Sequence, residues 1–109
     1  MILYGLSTCA VCKRAQKDIE AAGKDVQFRD IRAEPLDENE LETLIVEIGD
    51  RLVDSKTTDW RGLSDWLKHA EVDAQISANP KLMVRPVLID GDTFFLGWDD
   101  EVRSRVLGT

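Results

Sequence analysis

The sequence predicts an α/β fold with a four-stranded mixed sheet, flanking helices and a helical insertion. Three observations predict it. The chain opens with a strand, helix, strand pattern, continues with about 45 residues of helical periodicity, and ends in a hairpin followed by a helix. A strand–helix–strand unit makes its two strands parallel, whereas a tight hairpin makes its strands antiparallel. The sheet is therefore expected to contain both kinds of pairing.

The opening unit is predicted from a change in apolar spacing. Ile2 to Leu6 has the pattern of a short buried strand, and a turn with Ser and Thr leads into a helix that runs to about Ala22. Gly23 suits the position after a helix end, and Asp25 to Ile31 alternates like a second strand. The apolar stripe of the helix consists of Val11, Ala15, Ile19 and Ala22.

The middle of the chain is predicted to be helical. Asp37 and Glu40 have the spacing of a capping box, and Gly49 closes the helix that follows. Residues 50–58 are polar and irregular. The apolar stripe between cap and glycine consists of Leu41, Leu44, Ile45 and Ile48.

Two further helices are predicted before the chain becomes extended again. Trp60 to Leu67 indicates one short helix, and Val72 to Asn79 indicates another, which Pro80 stops. The tryptophans at positions 60 and 66 are expected to anchor this insertion to the core.

The end of the chain completes the fold. Pro86 to Ile89 and Thr93 to Leu96 are predicted strands joined by a tight turn at Gly91, and Asp99 caps a last helix. This order of elements is that of a thioredoxin-like fold. We expect a single domain over residues 1–109, with its core at about 1–33 and 81–109 and the helical insertion at about 36–80.

Composition restricts the function. The 109 residues carry 21 acidic and 14 basic side chains, a formal net charge of −7, which opposes binding to phosphate backbones. We expect no direct nucleic-acid partner, while a protein partner with a basic patch stays open. No apolar run approaches the ~20 residues that span a bilayer, and the N-terminus has no basic leader. The expectation is a cytoplasmic protein with no membrane partner.

Both cysteines lie in the stretch STCAVCKR, at the predicted start of the first helix. In a reducing cytosol neighbouring cysteines are more often redox-active or metal-bound than permanently disulfide-bonded. The thiolate is the reactive form, and the free N–H groups and dipole of a helix start favour negative charge on Cys9. Lys13, Arg14 and Lys17 add positive charge within two turns. These features predict that Cys9 is a nucleophile.

Cys12 has two interpretations. It follows Cys9 by three residues, which a disulfide can bridge, so it can resolve a mixed disulfide formed on Cys9. Alternatively, it packs beside Ala15 and Ile19 as a small apolar residue. A structural zinc site needs four ligands, and His69 is the one further soft ligand, so we expect no metal.

Four segments occur in the order seen in the arsenate reductase ArsC/Spx family: YGLSTCAVCKRAQKDIEAAG, SKTTDWRGL, NPKLMVRPVLIDG and FFLGWDDE. The resemblance covers nearly the whole chain, and the combination is much more specific than the cysteine motif alone. The ending LGWDDE resembles the shorter members, whose substrate is undefined. The resemblance implies a thioredoxin-like core with a helical subdomain.

In the arsenate reductase branch, the resemblance implies that Cys9 attacks an oxyanion or a mixed disulfide. Glutathione with glutaredoxin then completes the reduction, so glutathione is a co-substrate and no bound cofactor is implied. Arg85 matches one of three arginines that surround the oxyanion, and its bond to Pro86 is expected to be cis and beside the cysteine loop. A guanidinium offers a planar fork of donors to such an anion.

The resemblance extends less fully to the other anion-binding positions. Lys56 stands where related proteins often carry arginine, and it keeps the charge without the bidentate fork. Arg61 is a second helper, and Thr8 is either a hydrogen-bond donor to the thiolate or, like Ser7, a plain helix cap. The third arginine would fall near Gly97 and Trp98 and is absent. We therefore expect weaker binding of an arsenate dianion.

The pair of cysteines departs from well-studied arsenate reductases and resembles Spx regulators, in which it is a disulfide switch controlling association with RNA polymerase. Two functions follow from the resemblance. One is a glutathione- and glutaredoxin-linked reductase acting on a small oxyanion or thiol substrate. The other is a redox-sensing regulator that binds the RNA polymerase α subunit. A family member whose binding role no longer needs the thiols is a third.

Overall fold

The structure, a computed structural model, describes residues 1–108. These divide into two compact units: the first comprises Met1–Glu34 and the chain from Arg85 onward, and the second is Pro35–Val84. That the whole chain forms a single domain stays a prediction. Within the described residues, no helix is both long enough and apolar enough to cross a bilayer.

The regular elements follow the predicted order. In the first unit they are β1 (Ile2–Gly5), α1 (Ala10–Ala21) and β2 (Gln27–Asp30). In the second they are α2 (Glu38–Ile48), α3 (Thr58–Arg61), α4 (Asp65–Lys68) and α5 (Val72–Ala78), with 3₁₀ turns at Gly49–Leu52 and Pro80–Leu82. The first unit is completed by β3 (Val87–Asp90), β4 (Thr93–Leu96) and α6 (Asp100–Leu107).

The four strands form one mixed sheet in the order β2-β1-β3-β4. β1 pairs in parallel with β2 and antiparallel with β3, and β3 pairs antiparallel with β4. The β3–β4 turn is tight because Gly91, at φ +61°, takes a left-handed conformation that other residues adopt rarely. The predicted thioredoxin-like fold with a four-stranded mixed sheet is confirmed.

The core of the first unit lies on one face of this sheet. Leu3 stands opposite Leu88, and Leu88 stands opposite Phe95, so three neighbouring strands present these side chains in one row. Each such buried side chain contributes roughly 1.5–3 kcal/mol. The other buried members of this cluster come from α1 and α6: Cys12, Ala15, Ile19 and Val106.

The buried stripe of α1 differs from the predicted one. Val11 is half-buried and Ala22 is exposed, whereas Cys12 is fully buried beside Ala15 and Ile19. The stripe therefore follows spacings of three and four residues from Cys12. As a result, Cys12 in the first turn of α1 faces the core, whereas Cys9 lies at the helix start.

The second unit shows how caps decide helix bounds. The predicted capping box of Asp37 and Glu40 is present at the start of α2, and Gly49 ends the helix. The single helix predicted near residues 60–67 is wrong, because the Ser64 hydroxyl accepts the Leu67 N–H at 3.3 Å and starts a new helix. The expectation that Trp66 is an anchor is also wrong, since Trp66 is 75% exposed.

Candidate thiol site

The chain reaches Cys9 through a tight turn at the end of β1. The Cys9 N–H donates to the Leu6 carbonyl at 3.0 Å, which closes a four-residue turn. Cys9 is then the N-cap of α1, in an extended conformation with φ −87° and ψ 117°. The alternative in which Ser7 or Thr8 is a plain helix cap is therefore wrong. The cap position itself is occupied by a thiol.

Gly5 allows the first turn of α1 to approach β1 closely. A Cβ atom added at Gly5 would lie 2.5 Å from the Cys12 Sγ and 3.0 Å from the Cys12 Cβ. Real Cβ atoms do not approach other atoms this closely, so a larger residue at this position would displace Cys12. Gly5 thus sets the depth at which the two-cysteine turn sits on the sheet.

Cys9 has the environment of a reactive thiol. It is half-buried and forms no disulfide, and partial burial by itself raises its pKa. A hydrogen bond from the Cys12 thiol, the backbone N–H groups of Cys12 and Val11, and the charge of Arg85 outweigh this effect. The pKa of Cys9 therefore lies below its ordinary value. The Cys9 sulfur lies near these N–H groups but makes no side-chain capping hydrogen bond to them.

Cys12 has the opposite environment. Its side chain is fully buried, and burial, together with its hydrogen bond to Cys9, raises its pKa to about 12. Cys12 is thus held as a thiol whose S–H donates to the sulfur of Cys9.

Arg85 begins the return of the chain to the first unit. Its bond to Pro86 is cis, as expected. Pro86 is buried and its carbonyl accepts the Gly97 N–H at 2.8 Å, which fixes this segment beside the end of β4. The half-buried Arg85 side chain lies close enough to Cys9 for its positive charge to lower the pKa of the thiol. Cys9, Cys12 and Arg85 are therefore brought together.

The remaining predicted residues lie at exposed positions. Thr8 is exposed in the turn before Cys9. Lys56 and Arg61 are exposed in the second unit, where the Arg61 Nη2 donates to the Lys56 carbonyl at 3.0 Å. Their predicted role in anion binding stays a prediction.

Trp98 follows the place where the third family arginine was expected. Its Nε1 donates to the Asp18 carboxylate at 3.0 Å, and the Arg103 Nε donates to the same oxygen at 3.2 Å. These hydrogen bonds, that of Trp98 first, lower the pKa of Asp18. The indole therefore ties the segment before α6 to α1.

The carboxylate of Asp30 also lies near the site, and no sequence motif indicates its role. Its Oδ2 accepts the Ser7 N–H at 2.8 Å, across 23 residues of sequence. Its Oδ1 accepts the N–H groups of Arg32 at 2.8 Å and Ala33 at 3.0 Å. Gly5 and Asp30 are thus two residues that shape the site and were not singled out from sequence.

Solved structures of other proteins share this fold. The YffB protein has a TM-score of 0.85 at 23% identity and the match covers 97% of both chains. An arsenate reductase (ArsC) related protein from Brucella melitensis has a TM-score of 0.74 at 24% identity, over 95% of this chain and 91% of that one. At these identities the likeness shows the fold.

Comparison of sequences shows which proteins are related to this chain. The global transcriptional regulators Spx of Listeria innocua and Listeria monocytogenes are each 28% identical, over 93% of this chain and 82% of theirs. The ArsC family matches residues 4–105, from β1 into the last turns of α6. This chain belongs to the ArsC family.

Proposed function

We propose that this protein is a glutathione- and glutaredoxin-linked thiol reductase in which Cys9 is the nucleophile. One observation carries the proposal: Cys9 is a half-exposed N-cap thiol whose pKa is lowered by the N–H groups of its helix, the Cys12 thiol and Arg85. Thiol exchange requires a thiolate, and a helix start favours the thiolate form of a cysteine. The proposal places the protein in a reducing cytosol, where thiols such as glutathione are kept reduced.

The reaction is written most simply for a mixed disulfide of glutathione. The Cys9 thiolate attacks the glutathione sulfur, the new S–S bond joins Cys9 to glutathione, and the substrate leaves as a thiolate that takes a proton from water. A second glutathione, or glutaredoxin, attacks the Cys9-bound disulfide as a thiolate. This step releases oxidised glutathione, or its glutaredoxin adduct, and returns the Cys9 thiolate.

An oxyanion such as arsenate enters the same cycle. The Cys9 sulfur displaces hydroxide from the oxyanion, and a glutathione thiolate then attacks the Cys9 sulfur, so the electron pair of the broken bond reduces the oxyanion. The Cys9–glutathione disulfide that forms is reduced by a second glutathione. Arg85 and the N–H groups at the start of α1 supply positive charge for the anion. Lys56 and Arg61 are proposed helpers.

We propose that Cys12 assists Cys9 and does not resolve the mixed disulfide. A resolving thiol must reach the Cys9 sulfur as a thiolate, whereas Cys12 is fully buried, and this burial is the largest cause that raises its pKa. The external thiol therefore completes the cycle. Cys12 contributes its S–H as a donor to the Cys9 thiolate.

A redox-sensing regulator is the second candidate, favoured by the hydrogen bond between the two cysteine sulfurs and by the 28% identity to Spx. A peroxide would oxidise Cys9 and Cys12 to a disulfide and be reduced to water and the corresponding alcohol or a second water. The oxidised form would then bind the RNA polymerase α subunit. The reductase is preferred because the disulfide requires reaction at the buried Cys12.

An assay with NADPH, glutathione reductase, glutathione and glutaredoxin tests the proposal. We expect NADPH consumption with a glutathione mixed disulfide or arsenate as acceptor. Arg85→Ala should lower turnover, whereas Arg105→Ala, whose guanidinium lies 5.2 Å from the centre of the Phe95 ring, is the charge-matched control. No turnover with either acceptor would contradict the reductase.

Cys12→Ala separates the two candidates. The reductase should keep turning over, about tenfold more slowly, because loss of one donor raises the Cys9 pKa by about one unit. A regulator should lose every peroxide-dependent change in binding to the α subunit, measured by pull-down. Abolished turnover in Cys12→Ala would contradict the assisting role of Cys12.

A further inference from the structure

We infer that Asp30 is a positioning residue of the thiol site, whose carboxylate holds the turn that presents Cys9. The inference rests on the proposed role of Cys9 as nucleophile. It concerns a residue outside the cysteine motif, at the end of a different strand.

The carboxylate joins the ends of two parallel strands. Asp30 is the last residue of β2 and stands opposite Gly5, the last residue of β1. One oxygen accepts the Ser7 N–H at 2.8 Å from the chain leaving β1. The other accepts the N–H groups of Arg32 and Ala33 from the chain leaving β2. Both exits are thus held by one side chain.

The bond to Ser7 acts inside the turn that leads to the reactive sulfur. That turn is closed by the Cys9 N–H donating to Leu6, a bond in which the Ser7 N–H takes no part. Asp30 accepts this second N–H and holds the turn at its second residue. Because Cys9 follows Ser7 by two residues, displacement of Ser7 moves the sulfur relative to the N–H groups that stabilise its charge. Hydrogen-bond energy falls steeply with such displacement.

Asp30 is ionised wherever the thiolate exists. Hydrogen bonds from the backbone N–H groups of Ser7 and Ala33, and from the Ser7 side chain, hold its pKa far below the ordinary value. A carboxylate acting only through its charge would raise the pKa of a nearby thiol. A carboxylate acting through position lowers it. The two roles therefore predict opposite signs when the charge is removed.

The test is the rate of iodoacetamide alkylation of Cys9 against pH in the full chain. Asp30→Asn keeps the size of the side chain but turns an N–H donor toward at least one of its present donors. We expect the Cys9 pKa to rise by about one unit, so that alkylation well below the pKa slows about tenfold. Asp25→Asn removes the same charge from an exposed position and should leave the profile unchanged.

Ser7→Pro tests the same bond from its other partner. It deletes the N–H donor together with the Ser7 hydroxyl, which also bonds Asp30, and it leaves Asp30 bonded to Arg32 and Ala33. Proline suits the second position of a turn without positive φ. The Cys9 pKa should rise here too, which keeps the inference testable if Asp30→Asn fails to fold.

The outcomes are distinct. A Cys9 pKa that falls or stays constant in the folded variants overturns the role of Asp30 alone. An ordinary Cys9 pKa in the wild type overturns this role together with the proposed reductase. A low wild-type pKa that rises in both variants, without turnover in the NADPH assay, supports Asp30 and rejects the reductase.

Discussion

Helices α1 and α2 begin in different ways. α2 begins after Asp37, whose carboxylate accepts the Glu40 N–H at 2.7 Å, while the Glu40 carboxylate accepts the Asp37 N–H at 3.1 Å. α1 begins after Cys9, which makes no side-chain capping hydrogen bond. A good cap contributes ~1 kcal/mol. α1 therefore gives up stability that α2 keeps.

The difference shows where free N–H groups are retained for chemistry. At α2 the N–H groups of Asp37 and Glu40 are satisfied by the two carboxylates of the capping box. At α1 the N–H groups of Val11 and Cys12 act on the Cys9 sulfur instead and lower its pKa. A stable start and a reactive start are thus alternatives for the same backbone groups.

The two units also differ in net charge. Residues 35–84 carry 11 of the 21 acidic side chains and 5 of the 14 basic ones, which is a net charge of −6 out of −7. The unit with the thiol is therefore nearly neutral. This balance suits a thiolate that reacts with anionic substrates, because like charge nearby would raise the Cys9 pKa and repel the anion.

Cys9→Ser gives α1, like α2, an N-cap residue whose side-chain oxygen can accept a backbone N–H. Of these changes it has the largest expected effect. Turnover in the NADPH assay should fall to the rate without protein, because a serine hydroxyl is not ionised near neutral pH. The free energy of unfolding in urea should rise by roughly 0.5–1 kcal/mol, since serine is a strong N-cap. A less stable variant would show that packing of the Cys9 sulfur outweighs the cap.

Gly5→Ala breaks the close approach of α1 to β1. Its Cβ would lie 2.5 Å from the Cys12 Sγ, so we expect the free energy of unfolding to fall by about 1–3 kcal/mol, as for other overpacked cores. The matched control is Gly62→Ala, whose Cβ would meet the Thr58 carbonyl oxygen at an ordinary 3.5 Å. Urea unfolding compares the two. Equal losses would contradict the proposed steric role of Gly5.

Elements with both a cap and an apolar stripe were predictable from the sequence. α2 has its capping box at Asp37 and its closing glycine at Gly49, and the structure has both. The prediction of one helix near Trp60 failed because Ser64 caps and starts a new helix inside an apparently continuous apolar pattern. The stripe of α1 was predicted from Val11, whereas the helix buries Cys12, whose packing beside Ala15 and Ile19 was one of two interpretations of that residue.

The site was predictable where its residues lie in a local motif. Cys9 at a helix start and Arg85 before a proline both follow from the sequence and its family resemblance. Asp30 does not, because its bond to Ser7 spans 23 residues and depends on the pairing of β1 with β2. Gly5 was missed because its requirement arises from how deeply α1 packs on the sheet. Tertiary geometry, not composition, supplies these two residues.

Asp37→Ala sharpens the comparison from the side of α2 and has the smallest expected effect. It removes the acceptor of the Glu40 N–H, so the free energy of unfolding in urea should fall by about 1 kcal/mol. The alkylation rate of Cys9 should not change, because a cap acts within its own first turn. Asp25→Ala, an exposed aspartate outside a cap, should stay within about 0.5 kcal/mol. A slower alkylation of Cys9 in Asp37→Ala would mean that the two helix starts are coupled, and the division between a stable start and a reactive start would then fail.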